Sequence, residues 1–144
     1  MVMAGNDRGM LAETKALAKK LNLEDKINFP GYIDMQQKVE LAQYCNFFIS
    51  TNKIDNAPVS VIEFMALGLP VVAVNTGGIP FIIENKKNGL LVNDDDAQMA
   101  KCIEELLINK NLYESLRANA RRYAMLYDED VVVDKWRTLF EQLS

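Results

Sequence analysis

Five consecutive residues, Pro70-Val71-Val72-Ala73-Val74, are apolar without a break. A run that short and that rich in β-branched residues reads as a strand, and with no polar position it has no face to turn to water. Such a strand belongs in a parallel sheet covered by helices on both faces, because antiparallel sheets with one wet face alternate apolar and polar. This feature removes most all-β and all-helical folds at once.

The remaining segments alternate in the same sense. Val2-Met3-Ala4 reads as a short strand ending at Gly5, and Met10, Leu11, Thr14, Leu17, Ala18 and Leu21 recur with helical period. Ile27-Asn28-Phe29 forms a second strand that the Pro30-Gly31 turn signal closes. Asp34 is placed to cap a helix carrying Val39, Leu41 and Ala42, and Phe47-Phe48-Ile49 is a third strand. A helix from Pro58 to Leu67 has proline at its first position, where the missing N–H costs nothing, and Gly68 ends it. Gly89-Leu90-Leu91-Val92 is a last, short strand. Three helices follow, marked by Met99, Ile103, Leu106 and Leu107, by Leu112, Leu116, Ala120, Tyr123 and Tyr127, and by Val132, Trp136, Leu139, Phe140 and Leu143. The alternation predicts one α/β domain with a parallel sheet and helices on both faces.

Composition limits the chemistry. The 144 residues are 49% apolar and 25% charged, with a net charge of −4. That is the make-up of a globular domain, and the acidic balance argues against a nucleic-acid partner. No apolar run approaches the roughly 20 residues of a membrane span, and no signal-peptide pattern opens the chain, so a cytoplasmic protein is expected. Cys45 and Cys102 lie far apart and read as reduced residues of the core. There is no histidine. This removes Ser-His-Asp and Cys-His nucleophiles, the HExxH zinc site and histidine general bases. If this chain does chemistry by itself, carboxylates, backbone amides or a bound substrate must carry it.

Several polar clusters have structural explanations. Asp94-Asp95-Asp96 contains an Asp-x-Asp of the kind that holds a divalent ion, yet it stands directly before a helical pattern, where acidic residues cap free amides; capping is the preferred reading. Ala4-Gly5-Asn6-Asp7-Arg8-Gly9 joins a strand to a helix, where either a phosphate-cradling loop or a plain turn fits. Arg121-Arg122 and Lys86-Lys87 read as solvated pairs, and Tyr113, Tyr123 and Tyr127 as core rings with their hydroxyls at the rim.

The segment from Ser50 to Glu63 is more informative. It leaves a strand, crosses a polar loop and enters a helix, at the end of a parallel sheet where ligands bind. Amides at that helix N-terminus suit a diphosphate. Asp55 lies in the loop and Glu63 about one and a half turns into the helix, four residues after Val59 and on its face. Carboxylates beside a diphosphate make sense if they accept from sugar or ribose hydroxyls. A capping aspartate and a surface glutamate explain them equally well.

The stretch DNAPVSVIEFMALGLPVVAVNTGGIPFIIENKKNGLLV closely resembles the donor-site signature of retaining glycosyltransferases of family 4, enzymes of the GT-B type built from two Rossmann-like domains. VMAGNDRG is similar to the family's strand and glycine loop, INFPGYID to its base-contacting turn, NFFIST to the strand before the donor loop, and LYESLRANARRYA with VVVDKW to its closing helices. The resemblance implies a Rossmann-like C-terminal half of a GT-B fold, residues 1–144 being part of a nucleotide-sugar binding domain. It implies a hexosyltransferase-like enzyme that transfers a sugar with retention from a nucleotide-diphosphate sugar, in cell-surface polysaccharide or glycolipid synthesis, with no metal or other cofactor. The partners it implies are the nucleotide sugar and, through an N-terminal domain with no counterpart here, an acceptor glycan or glycolipid; peripheral association with the inner membrane surface through that domain stays open.

Carried over by position, the family's pair of acidic residues separated by seven falls on Asp55 and Glu63. Asp55 would lie against the transferred sugar as the catalytic residue, and Glu63 would hold the ribose hydroxyls. Asn56, Ala57, Pro58, Val59 and Ser60 would line the donor, with the amides of Ala57, Val59 and Ser60 meeting sugar and diphosphate. Gly31, Tyr32 and Ile33 would contact the base, and Gly5 belongs to the glycine loop. Two positions depart from the family: Asp55 is one methylene short of the usual glutamate, and Phe81 stands where many relatives place glutamate. The family's first strand-helix unit, with an Arg and a Lys that neutralise the diphosphate, also lacks a counterpart. By analogy with the strand order 3-2-1-4-5-6 the missing strand is the central one, which would leave two unpaired strand edges. A non-catalytic nucleotide-sugar-binding module, or a degenerate subunit, is the alternative from another class; a related sugar-nucleotide epimerase ranks below both.

Overall fold

The computed structural model describes residues 1–143, which divide into two compact units, Met1–Glu40 and the chain from Leu41 onward. In the first, β1 (Val2–Ala4) pairs in parallel with β2 (Asn28–Gly31), and α1 (Leu11–Lys20) connects them through a single 3-10 turn at Glu24–Lys26. Pro30 and Gly31 lie inside β2 and do not close it, a correction to the expected turn. Among the described residues β2 has a partner along one side only, and its register shifts within the pair, so the strand tolerates a residue without an N–H. The helical period placed α1 correctly, but of its apolar stripe Ala18 alone is buried, while Met10, Leu17 and Leu21 are exposed.

The boundary falls within α2 (Met35–Ala42), whose start is fixed by a reciprocal cap. Asp34 Oδ1 accepts from the Gln37 amide at 2.8 Å, and Gln37 Oε1 accepts from the Asp34 amide at 2.9 Å.

The second unit holds a three-stranded parallel sheet in the order β3-β4-β5, built from Phe48–Ser50, Val71–Val74 and Leu90–Val92. Every residue of β4 is buried. Because side chains alternate along a strand, Val71 and Ala73 enter one cluster while Val72 and Val74 enter another. The first cluster joins them to Val61 and Met65 of α3 (Val59–Ala66), to Ile79 and Ile82 of α4 (Ile79–Ile82), and to Ala120 and Ala124 of α6 (Lys110–Ala124). The second joins them to Leu90, Val92, Leu106 of α5 (Asp96–Ile108) and Leu116. The fold is therefore the expected Rossmann-like class, parallel strands with flanking helices, but the strands fall into two separate sheets in two units, a correction to the single sheet of one domain that the alternation predicts. β1 bonds only to β2, and β3 only to β4, among the described residues.

At eight residues α3 is too short to persist alone, since isolated helices below about 12–15 residues are marginal. Burial of Val61, Phe64 and Met65, stacking of Phe64 on Phe48 with centroids 4.4 Å apart, and packing against α6 hold it in place. Gly68, at φ +80°, ends it with the two bonds of a Schellman turn, Gly68 N to Met65 O and Leu69 N to Phe64 O, both 3.0 Å. Pro58 precedes the helix instead of occupying its first turn, because its ψ of 88° is not helical.

Tyr127 also departs from expectation. It lies in the 3-10 turn Met125–Tyr127 after α6 and is exposed, whereas the Tyr113 and Tyr123 hydroxyls donate to Asn46 O and Glu84 Oε2. The last helix, α7 (Glu129–Leu143), buries none of its side chains; Trp136 and Phe140 stack on its exposed face. Cys45 and Cys102 are free thiols, half-buried.

Candidate functional site

In a parallel sheet all carboxyl ends lie along one edge. In the second unit this edge gathers the segments that follow Ser50, Val74 and Val92. The loop after β3 has no regular structure of its own, and its neighbours hold it. Thr76 Oγ1 donates to Lys53 O at 2.7 Å, and the Gly78 amide donates to Asp55 O at 2.9 Å. The Lys53 ammonium lies 2.7 Å from Asp94 Oδ2, beyond the end of β5. Within the loop, Asn52 Nδ2 donates to Asp55 Oδ2 at 2.8 Å.

The acidic triplet is thus accounted for. Asp95 caps α5 by accepting from the Gln98 amide at 2.9 Å, and Asp94 pairs with Lys53, which raises the lysine's pKa first through the hydrogen bond and then through charge. Among the described residues no cluster of three or more metal-ligating side chains occurs.

The same loop delivers the chain to the N-terminus of α3. Asp34, Asp95 and Asn109 each supply a side-chain oxygen to the first turn of a helix. Pro58 supplies none to α3. The first turn of α3, with the amides of Val59 and Ser60, therefore begins without a side-chain cap. Asp55, Asn56, Ala57, Pro58, Val59 and Ser60 are brought together at this terminus, and Glu63, half-buried, follows on the face of Val59.

The first unit brings together a second expected group. The Gly5 amide donates to Gly31 O at 2.8 Å, so the glycine turn and the residues after β2 meet at the ends of their strands. Tyr32 projects with 68% of its surface exposed, and Ile33 is buried. The Ala4–Gly9 turn carries its own anion: Asp7 Oδ1 accepts from Gly9 N at 2.7 Å and Leu11 N at 3.2 Å. Those amide bonds, Gly9's first, draw the Asp7 carboxyl below its ordinary range.

Thr76, Gly77 and Gly78 were given no role from sequence. Their signal was nevertheless there, as paired glycines directly after a buried strand mark a close approach of backbones. A β-carbon on Gly77 would overlap the Asp55 carbonyl oxygen, and one on Gly78 the Asn56 carbonyl oxygen. Phe81, at the position of a frequent glutamate, is 88% exposed on α4.

The family model described as Glycosyl transferases group 1 matches residues 1–123. An uncharacterized glycosyltransferase of Haemophilus influenzae is 32% identical over 127 residues, covering 85% of this chain and 35% of the relative. The N,N'-diacetylbacillosaminyl-diphospho-undecaprenol alpha-1,3-N-acetylgalactosaminyltransferase of Campylobacter jejuni is 30% identical over 106 residues, covering 73% of this chain and 28% of the relative. Among solved structures, HepE of Anabaena in complex with UDP and glucose superposes with a TM-score of 0.78 at 25% identity, over 99% of this chain and 39% of that one. The chain thus spans about a third of the length of these two curated relatives.

Proposed function

The chain belongs to the group 1 glycosyl transferases, and on that footing we propose that it supplies the donor site of a retaining enzyme of family 4, transferring a sugar from a nucleotide-diphosphate sugar. One observation carries this reading: the N-terminus of α3 has no side-chain cap and directly follows the Asp55 loop. An uncapped helix terminus suits a diphosphate, which neither carboxylate could contact without repulsion.

Each carboxylate then has a separate task. Glu63, one turn beyond the amides of Val59 and Ser60, accepts from the ribose hydroxyls. Asp55 faces the sugar, where positive charge develops at the anomeric carbon as the phosphate departs. Asn56, Ala57 and Pro58 line the sugar and diphosphate. The departing phosphate oxygen accepts the proton of the incoming hydroxyl on the face it leaves, a route that suits a donor half with no imidazole of its own. That route gives retention and calls on no metal ion. UDP in the HepE complex makes a uridine donor the first choice of probe.

The acceptor is a glycan or glycolipid held by a further domain, in cell-surface polysaccharide or glycolipid synthesis on the cytoplasmic side; the Campylobacter relative is named for a lipid-linked acceptor of this kind. No helix among the described residues is long and apolar enough to cross a membrane. A calorimetric screen of the complete enzyme against UDP- and GDP-sugars tests the proposal. Saturable binding of at least one sugar nucleotide is expected, and binding of none contradicts it.

A further inference from the structure

We propose that Thr76, Gly77 and Gly78 are positioning residues for Asp55, a role that rests on the reading of Asp55 as the carboxylate facing the sugar. The Asp55 loop depends on this turn twice, through Thr76 Oγ1 on Lys53 O at 2.7 Å and through the Gly78 amide on Asp55 O at 2.9 Å. These bonds grip the carbonyl two residues before the carboxylate and the carbonyl of the carboxylate residue itself. The turn is in turn fastened to the sheet, since Val74 before it and Ile79 after it are both buried.

Glycine is required at both places. Gly77 has φ +51°, a region that other residues seldom enter, and a β-carbon at either position would collide with loop backbone. Backbone carbonyls cannot rotate away as a flexible side chain could, so the loop itself would have to move. Asn52 completes the arrangement by holding Asp55 Oδ2 at 2.8 Å, which fixes the rotation of the carboxylate. The backbone position of Asp55 is thus set by the Thr76–Gly78 turn, and its side-chain orientation by Asn52. For a group that must meet developing charge at one carbon, a displacement of about 1 Å can cost on the order of a hundredfold in rate.

The test uses Thr76→Val, which keeps the shape of a half-buried side chain and removes only the donor, with Thr76→Ser as the variant that restores it. Nitrogen-15 relaxation on the 144-residue chain should show backbone order parameters at Lys53–Asn56 falling from about 0.85 to below about 0.6 in Thr76→Val. Residues Val61–Met65 should stay rigid, and Thr76→Ser should keep the loop ordered. In the complete transferase, Thr76→Val should lower kcat by about ten- to a hundredfold, with UDP affinity within about twofold of wild type. Unchanged order parameters at 53–56, or equal disorder in Thr76→Ser, overturn the inference. Disorder in Thr76→Val beside wild-type kcat in Asp55→Asn overturns instead the role assigned to Asp55. Should Thr76→Val fail to fold, Asn52→Ala gives the second reading: slow turnover with intact UDP binding supports the arrangement, and wild-type turnover refutes it.

Discussion

The Lys53 ammonium is bound to Asp94 Oδ2 at 2.7 Å, joining the loop after β3 to the turn after β5. Both side chains are solvated, so the pair adds little to stability. Its consequence is local: the cation in the Asp55 loop is already spoken for, and a diphosphate bound as proposed near α3 would compete with Asp94 for it. Replacing Asp94 with Asn should release Lys53 and tighten UDP binding a few-fold at low salt, an effect that fades as salt screens it.

The same pair fixes a pH dependence. Lys53 is raised above its ordinary value of 10.5 by its hydrogen bond to Asp94, so it holds its proton more tightly folded than unfolded. The contribution of the pair is therefore complete below 10.5 and disappears as pH rises through the raised value. Following the Lys53 Cε resonance should show a midpoint above the ordinary one, and Asp94→Asn should bring it back.

The two carboxylates should separate kinetically in the complete enzyme. Glu63→Gln would remove the proposed ribose contact, made equally in ground and transition states, so KM should rise, by about 1–3 kcal/mol of lost donor binding. Asp55→Asn would remove the proposed interaction that strengthens as charge develops, so kcat should fall by about a hundredfold or more while UDP still binds. Steady-state kinetics beside UDP calorimetry reads both, and interchanged patterns would reverse the assignment.

Stability should depend on a buried amide. Asn88 is 0% exposed; it accepts from the Glu84 amide at 2.7 Å and donates to Ile82 O at 3.0 Å. Asn88→Ala strands both backbone groups and should cost about 1–3 kcal/mol in urea unfolding. Asn85, whose Oδ1 takes the Leu91 amide at 2.9 Å, is exposed, so water can replace it and Asn85→Ala should cost less, about 0.5–1.5 kcal/mol.

What sequence could disclose followed from how local the deciding physics is. β4 was legible because burial on both faces leaves no polar residue, and Asp34, Asp95 and Gly68 because caps are made by neighbours in the chain. The exposed stripe of α1 was not, since periodicity reports a face but not what covers it. Pro30 misled because a turn signal weakens on a strand with one partner. At the site, the segment from Asp55 to Glu63 was visible as a strand-loop-helix pattern. Its ties to Thr76, Gly78 and Asp94 were hidden, for they join residues more than twenty positions apart through backbone carbonyls and a surface ion pair.

The chain alone should bind donor without transferring sugar. It covers about a third of the Haemophilus and Campylobacter relatives, and the proposed acceptor site lies outside it. Incubated with UDP-sugars and lipid-linked or glycan acceptors, it should release no UDP above background. Turnover at the rate of the complete enzyme would show that no other domain is needed.

The central claim is that the α3 terminus and Glu63 form the donor site. Nitrogen-15 spectra of the 144-residue chain titrated with UDP and UDP-glucose test it most directly. The account predicts saturable shifts concentrated at the amides of Ala57, Val59, Ser60 and Glu63, weakened by Glu63→Gln, with UDP-glucose additionally shifting Asp55. Titrations that leave these amides unmoved, or move them equally in Glu63→Gln, would contradict it.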